Sequence, residues 1–312
     1  MTTILVADVG GSTTRVALAA PGGRPEQIVR FENDDVSGVA DALARYLGGV
    51  GVRPRRAAIA VAGPIGADEI ALTNRSWRFR REELCAQFGF ERLDVLNDFE
   101  AVACALPLLI PDELFALGHP AVPGPGAKLA LGPGTGLGVA GLIPSGAGWI
   151  VVPTEGGHMS FGPAADDEIE VFRALGNGSL NVSAETAVSG RGIERLYRAL
   201  NPGRAPLAAR DVVAAAHAGE AGALRTIDMF VRLFGRFAGD VALVFKAFGG
   251  VYIAGGIARR FGALFDSAVF RTAFEAHPPY VAVLQATPTF LVTCVEPGLV
   301  GCAAYAVHRD GA

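Results

Sequence analysis

The feature that most limits what this chain folds into is a strand, glycine turn and returning strand that occurs twice. Residues 3 to 9 form a short apolar run rich in β-branched side chains, Gly10-Gly11 comes next, and Thr14 to Ala20 is a second run. The pattern recurs as Lys128 to Leu131, the turn Gly132 to Gly138, and Val139 to Ile143. Short apolar runs bounded by glycines read as buried strands. The internal repeat predicts two related α/β lobes facing a cleft, with a ligand where the glycine turns meet.

The intervening segments carry the rest of each lobe. Strands are expected near Ile28 to Phe31, Ala57 to Ala62 and Leu93 to Leu96, and helices over Val36 to Leu47, Arg80 to Phe88 and Phe99 to Leu106, the last stopped by Pro107. Strands of this first layer therefore end at Gly10, Gly63 and Asn97. Pro107, Pro111 and the stretch Pro120 to Gly126 mark a boundary. Beyond the second glycine turn come a strand at Trp149 to Val152 and helices over Asp166 to Leu175, Gly190 to Leu200, Ala208 to Ala218 and Ala221 to about Phe248. Buried strands at Val251 to Ala254 and Phe290 to Val292 and a small-residue helix from Gly298 to His308 complete the chain.

Composition removes several function classes. At 312 residues with only 19% charged, the chain holds no run of about 18 apolar residues free of Gly, Pro or charge, so a membrane span is not expected. Its first residues lack a basic, cleavable leader, which points to the cytoplasm. Cys85, Cys104, Cys294 and Cys302 have no metal-ligand spacing and read as buried apolar residues. Only Lys128 and Lys246 are lysines, and neither comes after a glycine, so a Walker-type phosphate loop is excluded and any nucleotide is held another way. The arginine runs at 53 to 56 and 75 to 81 lack aromatic interleaving at a net charge of −4, and nucleic-acid binding is not expected.

Five groups of residues carry chemistry. Asp8 at a strand end beside Gly10, Gly11, Ser12 and Thr13 offers a carboxylate for hydrated Mg²⁺ and a backbone able to approach phosphate closely. Gly134, Thr135 and Gly136 repeat the device between strands, which does not match the strand-to-helix context of a dinucleotide fingerprint. Gly255-Gly256, after a strand, opens a helix whose N-terminus favours an anion. Asn97-Asp98 at another strand end places a carboxylate where it can take a proton from a hydroxyl, although a helix N-cap is the plain alternative. Glu155, His158 and Glu185 supply the donors and acceptors that a polyol pocket needs, and their spacing is not that of a HExxH metal site. His119, His217, His277 and His308 lack such company and read as surface or packing residues.

Nine segments, in order across nearly the whole chain, closely resemble the bacterial ATP-dependent glucokinases. They are DVGGSTTR (8 to 15), AVAGPIG (60 to 66), LTNRSW (72 to 77), NDFEA (97 to 101), GPGTGLGVA (132 to 140), EGGH (155 to 158), SAE (183 to 185), SGRGIERLYRAL (189 to 200) and YIAGGIA (252 to 258). The resemblance implies a two-lobed actin-like ATPase (ribonuclease H-like) α/β fold of the hexokinase, actin and heat-shock ATPase superfamily. It implies a small lobe at 1–108 completed by the C-terminal segment 298–312 and a large lobe at 109–297. It also implies ATP and Mg²⁺ between the lobes, glucose as substrate and a homodimer. Carried over by motif, Asp98 is the general base and grips the sugar with Asn97. Glu155, His158 and Glu185 bind further hydroxyls. Asp8, Gly10, Gly11, Ser12 and Thr13 handle phosphate and Mg²⁺, the metal through water on Asp8, while Gly134, Thr135, Gly136, Gly255 and Gly256 hold the nucleotide.

Two departures stand out. Ser12 and Thr13 occupy positions that usually read Thr-Asn, which bears on the nucleotide. Ser160 stands where an acidic residue is usual, which bears on the sugar. The cysteine-rich zinc motif of the repressor and sugar-kinase (ROK) family is absent from the sequence, which favours the other glucokinase branch. A kinase for mannose or fructose and a non-catalytic sugar sensor on the same fold are the alternative readings.

Overall fold

In the computed structural model the first apolar run is strand β1 (Ile4–Val9), and its return is β2 (Thr13–Ala19), paired antiparallel with Asp8 opposite Arg15. The structure describes residues 3–63, 65, 69–73, 75–118, 122–146, 148–179 and 181–308. Pro64, Gly66, Asn74, His119, Pro120, the side chain of His308 and residues 309–312 of the C-terminal segment lie outside this description. The chain forms two units: Met1–Leu109 with Ser145–Pro153 and Cys294–Ala312, and Ile110–Pro144 with Thr154–Thr293.

In the first unit the chain continues through β3 (Glu26–Glu32), α1 (Val39–Val50), β4 (Arg56–Val61), a small hairpin of β5 (Glu69–Ala71) and β6 (Arg78–Arg80), α2 (Arg81–Phe88), β7 (Arg92–Asn97) and α3 (Asp98–Ala105). The main sheet has the order β3-β2-β1-β4-β7, with β1, β4 and β7 parallel and β2 and β3 antiparallel. The apolar run of β1 is continuous because the sheet is covered on both faces. Leu5, Ala7 and Val9 pack with Val39, Leu43, Tyr46 and Leu47 of α1, while Ile4 and Val6 pack with Ala101 and with Leu299, Cys302, Ala303 and Ala306 of the helix Pro297–His308. A slip of one residue would exchange those two sets, so burial fixes the register. Helix α1 starts three residues later than its apolar period indicated, because Asn33–Asp35 winds into a 3-10 turn and the Ser37 N–H donates to Asp41. It ends where Gly51 takes a left-handed φ of 67°.

The second unit repeats the scheme. It carries β8 (Leu114–Ala116), the hairpin of β9 (Lys128–Pro133) and β10 (Leu137–Ser145), helices α4 (Asp166–Gly176), α5 (Ala184–Ala187), α6 (Gly190–Leu200), α7 (Ala209–His217) and α8 (Ala221–Phe245), then β11 (Val251–Ile253), α9 (Gly256–Phe261), α10 (Ser267–Glu275), α11 (Val281–Ala286) and β12 (Thr289–Val292). Its strands lie in the order β10-β9-β11-β12-β8, with β9, β11 and β12 parallel. A hairpin with two parallel strands after it is thus the plan of both sheets. Helix α8 is the centre of the core, burying Phe230, Leu233, Phe234 and Phe237. Gly235 and Gly239 on it face the Phe270 and Phe274 carbonyls of α10, where any Cβ would overlap backbone oxygen. Helix α8 stops at Phe245, short of the expected Phe248, because Lys246 takes a left-handed φ of 48°. His277 is a packing residue: its ring nitrogens lie 3.0 Å from the Phe274 carbonyl and 3.0 Å from Asp240.

The closest helix crossing of the first unit is between α3 and the C-terminal helix, where a Cβ on Gly301 would overlap the Ala101 carbonyl. Gly301→Ala is therefore expected to destabilise the protein by about 1–3 kcal/mol through overpacking. Urea denaturation checks this; an unchanged midpoint would show that the crossing has slack.

Candidate functional site

Parallel pairing brings three strand ends to one edge of the first sheet. Val9 lies beside Val61 and Val61 beside Asn97, so Gly10, Ala62 and Asp98 come next at the same level, with Gly63 one residue further on. That edge, at the carboxyl ends of parallel strands, is where open α/β sheets bind ligands. Gly63 has to be glycine, since a Cβ there would come 2.8 Å from the Ala71 carbonyl.

The structure divides the work of Asn97 and Asp98. Asn97 is the N-cap of α3: its Oδ1 accepts from the Phe99 N–H at 2.9 Å, and its own N–H donates to Glu100 at 2.7 Å, completing a capping box. Its Nδ2 donates to the Gly63 carbonyl at 3.3 Å, which ties two strand ends together. Asp98, which the sequence offered as the cap, is instead the first residue of the helix, where one of its oxygens accepts from the Phe99 N–H at 2.9 Å. A carboxylate in the first turn is favoured by the helix dipole.

Asp8 sits among charges that motif spacing reveals only in part. The Arg15 guanidinium, across the hairpin, is 3.6 Å from Asp8 and 2.8 Å from Glu296, just before the C-terminal helix. Burial pushes the Asp8 carboxyl up to about 6; Arg15 opposes the shift and Glu296 adds to it. Gly298 leaves room for this carboxylate, because a Cβ there would lie 3.0 Å from it. Among the described residues no three His, Cys, Asp or Glu side chains group to cage a metal. One carboxylate beside a glycine turn is the donor set of a hydrated Mg²⁺ that keeps its waters and shares phosphate oxygens, so the residues fit that ion.

The glycine turn Gly10–Thr13 is closed by the Gly10 N–H donating to the Thr13 carbonyl at 3.0 Å. Its outward carbonyls are held by Asn33, which no motif marks, and by Arg75, which lies in the 72–77 motif but to which the sequence assigned no role.

The second unit gathers a separate group from distant positions. The turn Gly134–Gly136 is closed by the Gly134 N–H donating to the Gly136 carbonyl at 2.8 Å, and the Gly190 N–H at the start of α6 donates to Gly134 at 2.9 Å. Glu185 lies against this turn: it accepts from the Leu137 N–H at 2.9 Å, and a Cβ on Gly136 would overlap it. One oxygen of Glu185 is thus engaged with the turn itself. Gly255, at a φ of 98°, lies against Pro133, so the glycine pair at 255 and 256 adjoins the same turn. The helix that it opens is short, six residues.

Glu155 and His158 flank the 3-10 turn Gly156–His158, with His158 Nε2 4.0 Å from the Glu155 carboxylate and both side chains more than half exposed. Gly157 allows this turn to press on Leu137, whose carbonyl any Cβ would overlap. The neighbouring Ser160 bridges to Ser183, and the Ala184 N–H donates to Met159 at 3.0 Å. Residues 134–137, 155–160 and 183–190 therefore form one contiguous cluster within this unit. It presents two carboxylates, an imidazole and the backbone of a glycine turn, a set suited to hydroxyl and phosphate groups.

A family model described as Glucokinase matches residues 5–309. The Glucokinase of Sinorhizobium medicae is 39% identical over 310 residues, covering 97% of this chain and 91% of that protein. The "Bifunctional protein glk" of Burkholderia orbicola is 40% identical over 313 residues, covering 96% of this chain and 48% of that protein. The chain thus spans about half the length of that bifunctional relative. A crystal structure of a glucokinase from an Antarctic psychrotroph superposes with a TM-score of 0.89 at 33% identity, covering 99% of each chain. The mixed α/β architecture is that of the actin-like ATPase fold, and the chain belongs to the glucokinase family.

Proposed function

We propose that this chain transfers the γ-phosphoryl group of ATP to the 6-hydroxyl of D-glucose. The observation that carries the reading is Asp98: a carboxylate just past the end of β7, in the first turn of α3, whose N-cap is Asn97. Asp98 is then the general base that receives the 6-hydroxyl proton, a role typically worth 10²- to 10⁴-fold in rate. Asn97 has a second amide hydrogen beyond the one given to Gly63, and with it orients the sugar. Glu155, His158 and the second oxygen of Glu185 bind further hydroxyls. The amides around Gly10–Thr13 and Gly134–Gly136 receive phosphate oxygens, with Gly255 and Gly256 at the nucleotide.

Mg²⁺ entering with ATP, held through water on Asp8, would supply charge neutralisation at the phosphates. The protein's own part is positioning: it fixes base and hydroxyl and excludes water that would otherwise take the sugar's place. The sequence lacks the cysteine-rich zinc motif of ROK kinases, which supports placement in the other branch. We also propose a homodimer in the cytoplasm, on the family resemblance. No described helix is long and apolar enough to cross a membrane.

Asp98→Asn is expected to abolish turnover while glucose still binds in calorimetry; turnover like the wild type would remove Asp98 as base. Glu155→Gln should weaken glucose binding by about 1–3 kcal/mol, since a charge-assisted hydrogen bond is lost, and an unchanged glucose KM would take Glu155 out of the pocket.

Asp8 generates a third expectation with an opposite sign for stability and binding. An acid whose folded value is raised costs stability as pH climbs from about 4 through about 6, because the unfolded chain ionises more readily. Asp8→Asn should therefore raise the melting temperature of the ligand-free protein above pH 6 and remove that pH slope, while weakening Mg²⁺-dependent ATP binding. A variant less stable than the wild type at pH 7.5 would contradict the burial cost.

A further inference from the structure

We infer that Asn33 and Arg75 are positioning residues that aim the Gly10–Ser12 backbone at the phosphates of ATP, an inference that rests on the proposed phosphoryl-transfer reading. Three successive carbonyls of the turn are captured from one side. The Gly10 carbonyl accepts from Asn33 Nδ2 at 2.8 Å, the Gly11 carbonyl from Arg75 Nε at 2.7 Å, and the Ser12 carbonyl from the Asn33 N–H at 2.9 Å. In a trans peptide the C=O of one residue and the N–H of the next point in opposite directions. Fixing the carbonyls of Gly10 and Gly11 on the Asn33 side therefore turns the N–H groups of Gly11 and Ser12 to the other side. Among the described residues neither amide has a hydrogen-bond acceptor. Successive amides turned the same way form an anion-binding concavity.

The clamp is itself fixed. Asn33 is about 1% exposed, and its Oδ1 accepts from Thr14 Oγ1 at 2.8 Å, which settles the orientation of the amide and aims its NH₂ at Gly10. Arg75 uses the remaining arms of its fork on the Asn33 carbonyl at 3.3 Å and on Asp34 at 2.5 Å, and its plane lies over Trp77. The guanidinium thus joins the 72–77 segment, the 33–34 turn and the glycine turn in one network. This geometry needs a planar fork, which lysine lacks.

Where the turn departs from the usual Thr-Asn, at Ser12 and Thr13, this network holds it from outside. The test is isothermal titration of the full chain with Mg·ATP and, separately, with glucose, for the wild type, Arg75→Met, Arg75→Lys and Asn33→Asp. The last keeps the Thr14 bond and loses the donor to Gly10. Each variant should bind ATP at least tenfold more weakly, with glucose affinity within twofold, and the steady-state KM for ATP should rise while that for glucose holds. ATP affinity within twofold of the wild type in Arg75→Met overturns the inference, as does recovery in Arg75→Lys, which would make charge rather than geometry the cause. Equal loss of ATP and glucose binding also overturns it, by showing general disruption. A wild type that binds no ATP sinks both this inference and the phosphoryl-transfer reading, whereas tight wild-type binding with unaffected variants sinks this one alone.

Discussion

Burial of β1 on both faces is the constraint on which the rest of the first unit depends. Because Ile4 and Val6 face the C-terminal helix while Leu5, Ala7 and Val9 face α1, only one register buries both sets. That register passes through parallel pairing to β4 and β7 and sets the level at which all three strands end. The proposed chemistry then depends on the residues past each strand: a glycine turn after β1, Gly63 two residues after β4, and Asp98 directly after β7. Hydrophobic packing thus positions the carboxylates, and the polar contacts refine a geometry already decided.

Glycines act here as points of close approach more than as flexible links. Gly132 lies where β9 passes the Ala254 carbonyl, Gly157 where the Glu155–His158 turn meets Leu137, and Gly136 under the Glu185 carboxylate. Each brings one segment nearer to its neighbour than any side chain allows. The second unit's cluster is therefore built of backbone contacts, with Glu185 fixed by the Leu137 amide and only Glu155 and His158 left largely in solvent. In the proposed reading, an exposed pair that becomes ordered on the sugar loses conformational entropy when it binds.

Much of this was legible in the sequence because it is local. The two glycine hairpins, the long helix, the strand before Asn97-Asp98 and the small-residue C-terminal helix emerge from period and punctuation. The elements that escaped are those too short or too sparsely buried to set a pattern: three-residue strands β5, β6 and β8, and α10, which buries only Phe270 and Phe274. For the proposed site, motif reading pointed to Asp8, Asp98 and Glu185 but not to the residues that contact them. Glu296 reaches Arg15 from the other end of the chain, and Asn33 and Arg75 reach the glycine turn across 23 and 64 positions. Their signal lies in tertiary contacts, which no spacing rule in one sequence encodes. Asn97 shows the opposite case: a cap at this helix start was legible in the sequence, but it falls to Asn97 where the sequence pointed to Asp98.

The central claim is the transfer of a phosphoryl group from ATP to one particular hydroxyl. Incubation of the purified chain with Mg·ATP and, in turn, glucose, mannose and fructose, with phosphorus NMR of the products, reads the product and its position together. The account predicts ADP and sugar phosphate in equal amounts, with glucose the preferred acceptor and the phosphorus coupled to the C6 methylene protons. ADP accompanied only by inorganic phosphate, phosphorylation at another carbon, or turnover that favours mannose or fructose over glucose would contradict it.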